Sequence, residues 1–361
     1  MTVVAVLGAG AGGLSCSVEL TQAGHDVRLW NRNPRTLEKY GENRSVPYEG
    51  VLGEGTASLA SVTTDLREAL RGAEVVVVCL PALAHAALFT DLTDAACVVP
   101  ILLNPGHTGG ALRARATFLS RGVALPPIVE FSTLTYVARI RPEGGVRITC
   151  RARQVRVAAL PGGESAVAIA RELFPGVLEM PDVLATSLSN VNLALHPPGA
   201  ILAAAWVEAS GQEFTFYVDA MTPGVARVIV LLDGERRSVA RRFGHDLPSL
   251  TEEMALIGTV AGDAVTGDVG VAIRGGEANR WIKAPDSLDH RYYQEDLPYA
   301  LTPFIALADI GDVAVPTARA LLTIGSGLLA RDLVATGLSA EALGIADLGF
   351  NGLMELVRHR G

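Results

Sequence analysis

An unbroken apolar run, Val3–Leu7, passes straight into Gly8-Ala9-Gly10-Ala11-Gly12-Gly13, after which Leu14, Val18 and Leu20 recur at helical spacing. A continuous apolar run of this length fits a parallel strand covered on both faces. Further strands are expected at Asp26–Trp30, at Glu74–Leu80 around the Val75-Val76-Val77-Val78 run, and at Val98–Leu103. The shorter runs Thr133–Ile140, Val146–Cys150 and Val155–Leu160 suggest antiparallel strands closing the domain, followed by a helix over Glu164–Phe174. Beyond Pro181 the period lengthens, and helices are expected within Val225–Arg242, Pro298–Ala308 and Thr317–Ala330. The pattern predicts an α/β protein: an N-terminal Rossmann-type doubly wound sheet over residues 1–182, then an all-α C-terminal domain over 183–361. Val183–Val207 carries no formal charge, yet Asn190, Asn192, His196 and Pro197-Pro198 would be costly in lipid. It reads as a buried helix broken by a functional turn.

The 361 residues are 49% hydrophobic and 19% charged, enough for two packed cores and too apolar for extensive disorder. A net charge of −8 argues against a nucleic-acid partner, which would need a basic face. Cys16, Cys79, Cys97 and Cys150 lack metal-site spacing, so no metal is expected and the thiols suit a reducing compartment. The start of the chain lacks a basic, apolar leader pattern, and a cytoplasmic enzyme without membrane attachment is expected.

Strand, glycine turn and helix together form a dinucleotide fingerprint. Gly8 permits the tight turn, Gly10 admits the pyrophosphate close to the backbone, and Gly13 lets helix pack on strand. Where an NAD-specific protein usually offers a carboxylate to the ribose 2′-hydroxyl, this chain has Asn31 and Arg32. An amide and a guanidinium accept a 2′-phosphate, so NADP(H) is the preferred cofactor, with NAD(H) as the alternative. Pro81, Asn104 and Gly106 stand at the ends of two further strands, where an open α/β sheet forms its ligand crevice, and join the cofactor-binding set.

Two polar clusters interrupt the helical half: Ser189–Gly199, which includes Asn190, Asn192 and His196, and Asp289–Tyr299, which includes Arg291 and Asp296. Each also has an ordinary reading: His196 as a helix-end histidine, Asp296 as an N-cap ahead of Pro298, Arg291 as a solvated turn charge.

These segments together resemble the opine dehydrogenase family of the octopine/nopaline type, over nearly the whole chain. The resemblance is carried by the glycine turn, Asn-Pro-Gly-His-Thr-Gly-Gly-Ala-Leu at 104–112, Ser-Asn-Val-Asn at 189–192 and His-Pro-Pro-Gly at 196–199. It continues through Phe216-Tyr217, Thr222-Pro223, Val225-Ala226-Arg227, Ala284-Pro285, Arg291-Tyr292 and Glu295–Tyr299. It implies that His196 is the catalytic histidine, Asp296 its carboxylate partner, and Arg291 the anchor of a keto-acid carboxylate, with Asn190, Asn192 and Thr222 beside the substrate. Ala220 and Gly224 fall where the family more often has Gly and Ser, which leaves the amino donor open.

The implied activity is reductive condensation of an amino acid or related amine with a 2-keto acid such as pyruvate, through an imine reduced by hydride. The expected partners are these small molecules, and any self-association is expected to be a homodimer. Two other readings remain: a ketone reductase resembling ketopantoate reductase, with Lys283 as acid-base, and a non-catalytic dinucleotide sensor.

Overall fold

The computed structural model describes residues 1–262, 265 and 267–358. The end of the second expected domain, 359–361, lies outside the described residues, as do 263, 264 and 266. The chain divides into two compact units, one of Met1–Gly106 and Gly110–Val183, the other of His107–Gly109 and Leu184–Arg358.

The first unit contains β1 (Val3–Leu7), β2 (Asp26–Trp30), β3 (Ser45–Gly50), β4 (Gly55–Ser58), β5 (Ser61–Thr63) and β6 (Val75–Val78). Six more follow: β7 (Ile101–Leu103), β8 (Ile128–Phe131), β9 (Tyr136–Ile140), β10 (Val146–Arg151), β11 (Val155–Ala159) and β12 (Val177–Glu179). The main sheet runs β12-β11-β8-β7-β6-β1-β2-β5. Its pairs are parallel except β8–β11. The chain leaves β1 toward β2 and β5, then returns to build the other side from β6 onward, so strand order reverses at the β1–β6 pair. All four residues of β6 and the last four of β1 are buried, as a two-faced parallel sheet requires.

Two of the three expected closing strands go elsewhere. β9 pairs antiparallel with β10 and β10 parallel with β3 in a separate sheet of order β4-β3-β10-β9; only β11 joins the main sheet. This small sheet packs on α1 (Ala11–Gln22), which also lies against β1 and β2. With neighbours on two sides, α1 buries Gly13–Val18 as a block, along with Leu20. The strand expected from Val98 begins only at Ile101, because Val98 is exposed and Pro100 precedes the ladder.

The glycine turn is set by close approach. Gly8 has φ +117°, a region L-residues avoid. A Cβ on Gly13 would stand 1.7 Å from the Gly8 carbonyl oxygen, and backbone cannot yield that far. Gly13→Ala is therefore expected to cost roughly 3 kcal/mol or more, the upper end for overpacking. A clear fall in the urea midpoint checks this; an unchanged midpoint would mean that α1 is not so tightly seated.

The second unit is helical, with the single bridge Thr215–Lys283 outside its helices among the described residues. The first unit's remaining helices are α2 (Pro34–Gly41), α3 (Leu66–Leu70), α4 (Ala82–Asp94), α5 (Gly110–Ser120) and α6 (Glu164–Leu173). Those that concern the site in the second unit begin with α7 (Val183–Leu188), α8 (Val191–Leu202), α9 (Ala204–Ser210) and α10 (Pro223–Arg242). They continue with α11 (Leu250–Ile257), α12 (Val269–Arg274), α13 (Arg291–Gln294), α14 (Thr302–Ile310) and α15 (Pro316–Leu328). The uncharged stretch breaks at Ser189-Asn190 and at Ala203, between α7, α8 and α9. Pro197-Pro198 lies inside α8. Helix α8 is buried on nearly every side, packed by α10, α11, α13 and α15, which carries its central residues into the middle of the unit. Among the described residues no helix is long and apolar enough to cross a membrane.

Candidate active site

The imidazole of His196 occupies the centre of α8, 4% exposed. The two prolines that follow it lack N–H groups, so α8 forgoes two of its internal bonds just where His196 sits. Its Nδ1 lies 2.7 Å from Asp296 Oδ2 and its Nε2 2.8 Å from the Tyr217 hydroxyl. Asp296, 1% exposed, stands at the entrance of a π-helical turn, Leu297–Leu301, an irregularity that often marks functional positions. A buried carboxylate on Nδ1 favours the tautomer protonated there, with Nε2 turned to the Tyr217 hydroxyl.

Aromatic rings close around this pair. Tyr292 lies 4.0 Å from the His196 ring centroid, and Phe216 and Tyr217 meet it edge-on. The Tyr217 and Tyr292 hydroxyls are 3.4 Å apart.

Arg291 begins α13, and 48% of its side chain remains exposed. Its Nε lies 3.1 Å from Oε2 of Glu295, whose Oε1 is 3.4 Å from His107 Nε2. Glu295 is fully buried, and His107 holds a φ of +61°, unusual for a residue with a side chain. Burial pulls the Arg291 guanidinium down in basicity, but Glu295 and then Asp296 outweigh it and the group holds its proton more firmly than usual. His290 is pushed down to about 4 by burial, then by Arg291 and His196. It is neutral at pH 7 and accepts the Tyr292 N–H at Nδ1.

Of the sequence-derived candidates, the structure thus brings His196, Asp296 and Arg291 into one cluster. The other three are helix caps or lie beside one. The Asn190 side chain caps α8 by accepting from Asn192 N–H and donates to Thr108 Oγ1. Asn192 is half-buried one turn before His196, and Thr222 caps α10 from an exposed position. Lys283 is exposed in its bridge with Thr215. The sequence alone points to no role for Tyr217, Tyr292, Glu295 and His107. Their only sequence signal is that they lie inside the motifs of the family resemblance.

In the first unit, Gly10 caps α1 without a side-chain bond, and nothing stands within 4 Å of where its Cβ would be. The N–H groups of this 12-residue helix therefore have room for a pyrophosphate, at the point of strand reversal where such sheets bind ligands. Pro81, exposed, caps α4 just after β6. The Asn31 amide turns inward, accepting from Ala9 N–H and donating to the Asn33 carbonyl, while Arg32 is exposed. The Asn104 side chain is bound on both of its polar ends to Thr135, and a Cβ on Gly106 would strike Glu130 at 2.1 Å. These two hold the loop after β7. Among the described residues no group of three or more His, Cys, Asp or Glu side chains could hold a metal ion.

Two family models match the chain: NAD-dependent glycerol-3-phosphate dehydrogenase N-terminus over residues 3–103, and NAD/NADP octopine/nopaline dehydrogenase, alpha-helical domain, over 179–329. An opine dehydrogenase from Arthrobacter sp. (strain 1C) is 30% identical over 356 residues, 98% of each chain. A solved octopine dehydrogenase with NADH and L-arginine superposes with a TM-score of 0.78 at 18% identity, over 100% of both chains. A yersinopine dehydrogenase with bound NADP+ superposes at 0.72 with 15% identity, over 95% of each.

Proposed function

Because the chain belongs to the opine dehydrogenase family of NAD(P)-dependent oxidoreductases, we propose that it condenses the amino group of an amino acid or related amine with a 2-keto acid and reduces the resulting imine. The observation that carries this reading is the buried His196–Asp296 pair, 2.7 Å apart, in one cluster with the half-exposed Arg291. A planar guanidinium grips a carboxylate at two points, and with Nε turned toward Glu295 the terminal nitrogens of Arg291 are left for it. That grip fixes the keto carbon in one orientation, the entropic part of catalysis. His196, oriented by Asp296, exchanges the protons that condensation and reduction require. Bound nicotinamide would supply the hydride.

Residues 1–182 are read as the cofactor half and 183–361 as the substrate half. The enzyme is assigned to the cytoplasm, where its four cysteines stay reduced. A matrix of 2-keto acids against amino acids and amines, followed by NADPH and NADH absorbance and by product mass, tests the reading. Product masses equal to the joined substrates less water plus two hydrogens are expected.

NADPH preference rests on Arg32, since the Asn31 amide is already occupied. One charge-assisted contact to a 2′-phosphate contributes about 1.5–3 kcal/mol, so NADPH should lead NADH by roughly tenfold or more in kcat/KM. Arg32→Ala should remove that lead and leave NADH nearly unchanged. Equal efficiency of the two cofactors in the wild type would refute the assignment.

A further inference from the structure

Both imidazole nitrogens of His196 are engaged by protein: Nδ1 by Asp296 and Nε2 by Tyr217. A substrate atom that exchanges a proton with Nε2 must therefore either displace the Tyr217 hydroxyl or act through it. The surroundings of Tyr217 decide between these. The residues just before it are tied to 282–284: Phe216 N–H donates to the Ile282 carbonyl, Ala284 N–H donates to the Phe214 carbonyl, and Thr215 bridges Lys283. The ring is 6% exposed and packed against Phe216, which itself lies so close to Gly199 of α8 that a Cβ there would stand 2.8 Å from it. Moving the phenol aside would mean repacking a buried aromatic cluster, whereas passing a proton along a 2.8 Å hydrogen bond requires no movement.

We propose that Tyr217 is the catalytic acid-base that meets the substrate, with His196 and Asp296 as the proton store behind it. The proposal rests on the reductive condensation reading given above. With His196 neutral, its Nδ1–H donates to Asp296 and the Tyr217 hydroxyl donates to Nε2. With His196 charged, Nε2–H donates to the Tyr217 oxygen, whose own proton is released for the substrate. In the carbinolamine formed from amine and keto acid, the C–O bond breaks as its oxygen takes the phenolic proton and leaves as water. The nitrogen lone pair forms the C=N bond. The Tyr217 oxygen recovers a proton from Nε2, His196 becomes neutral, and solvent recharges it at the next turnover. The overall balance agrees: an ammonium, a ketone, one hydride and one proton give a secondary ammonium and one water, so one proton is drawn from solution per turnover. Tyr292, 3.4 Å from the Tyr217 hydroxyl, can donate to it while the phenolic oxygen is electron-rich.

The test is Tyr217→Phe, which keeps the ring and removes the hydroxyl. Turnover with the best amine and keto-acid pair should fall by ~10²-fold or more, the usual weight of a general acid-base. Cofactor Kd and melting temperature should be nearly unchanged. Turnover within about threefold of wild type would overturn the proposal and leave His196 to act directly. Should the variant lose stability as well, a fluorinated tyrosine at 217 separates the roles. Lowering the phenol pKa without changing its shape should move the alkaline limb of the kcat profile to lower pH, and an unmoved limb would overturn the proposal. Absence of amine-dependent turnover in the wild type would instead overturn the condensation reading. In that case the 15N signal of His196 Nε2 still reports on the pair. It should shift and titrate differently in Tyr217→Phe, and an unchanged signal would show that the phenol does not serve this nitrogen.

Discussion

Replacing His196 by alanine is expected to lower turnover by about 10²–10⁴-fold while NADPH binding, followed by fluorescence, stays intact. The imidazole lies in the helical unit and the glycine turn in the other, so the two readouts separate chemistry from cofactor binding. Removing one member of a buried charged pair can also cost stability, since Asp296 would be left almost fully buried without its partner. Asp296→Asn is the cleaner companion. It keeps size and a hydrogen bond but removes the anion that fixes the tautomer and stabilises the imidazolium, and a comparable loss is expected. Near wild-type kcat from pH 6 to 10 in either variant would refute the assignment of this pair.

Arg291→Lys is expected to raise the KM for the keto acid by roughly 10- to 100-fold, the weight of a charge-assisted contact, with a smaller change for the amine. An ammonium is a point donor. It cannot satisfy Glu295 and present a two-pronged edge to a carboxylate at once, as the guanidinium can with Nε turned inward. In the same assays NADPH oxidation should require amine and keto acid together. Rapid oxidation with keto acid alone, yielding a 2-hydroxy acid, would move the enzyme to the ketone reductases.

The two predictions draw on residues of different legibility. The Rossmann strand, turn and helix were readable because each glycine there answers a local demand: the positive φ of Gly8, the contact of Gly13 with the Gly8 carbonyl, the open space at Gly10. β3 and β4 leave no such signal, because each has only one buried position, Val46 and Ala57, too few to make a period. In the helical unit, His196 and Asp296 were named through family motifs, since a hundred residues separate them and no periodicity joins them. The sequence offers Asn190, Asn31 and Asn104 as ligand-facing residues, and the structure gives each a local partner. Their amides bond neighbouring backbone or side chains, and a short polar side chain in a loop sequence looks the same whether it serves the loop or a ligand. Tyr217 is hard to single out in the sequence, because an aromatic doublet ordinarily signals core, and Phe216 beside it is core.

The tripeptide His107–Gly109 limits how this protein can be taken apart. It follows β7 in the chain, yet it belongs to the helical unit, where Gly109 N–H donates to Ser187, Thr108 accepts from Asn190 and His107 stands against Glu295. A fragment beginning at residue 183, or a chimaera with the N-terminal half of a relative, would leave the Glu295 carboxylate without its His107 neighbour and the cap of α8 without Thr108. The sequence boundary near 182 is thus a poor place for a graft. Exchange of substrate preference between relatives should succeed only when residues 107–109 travel with the C-terminal half.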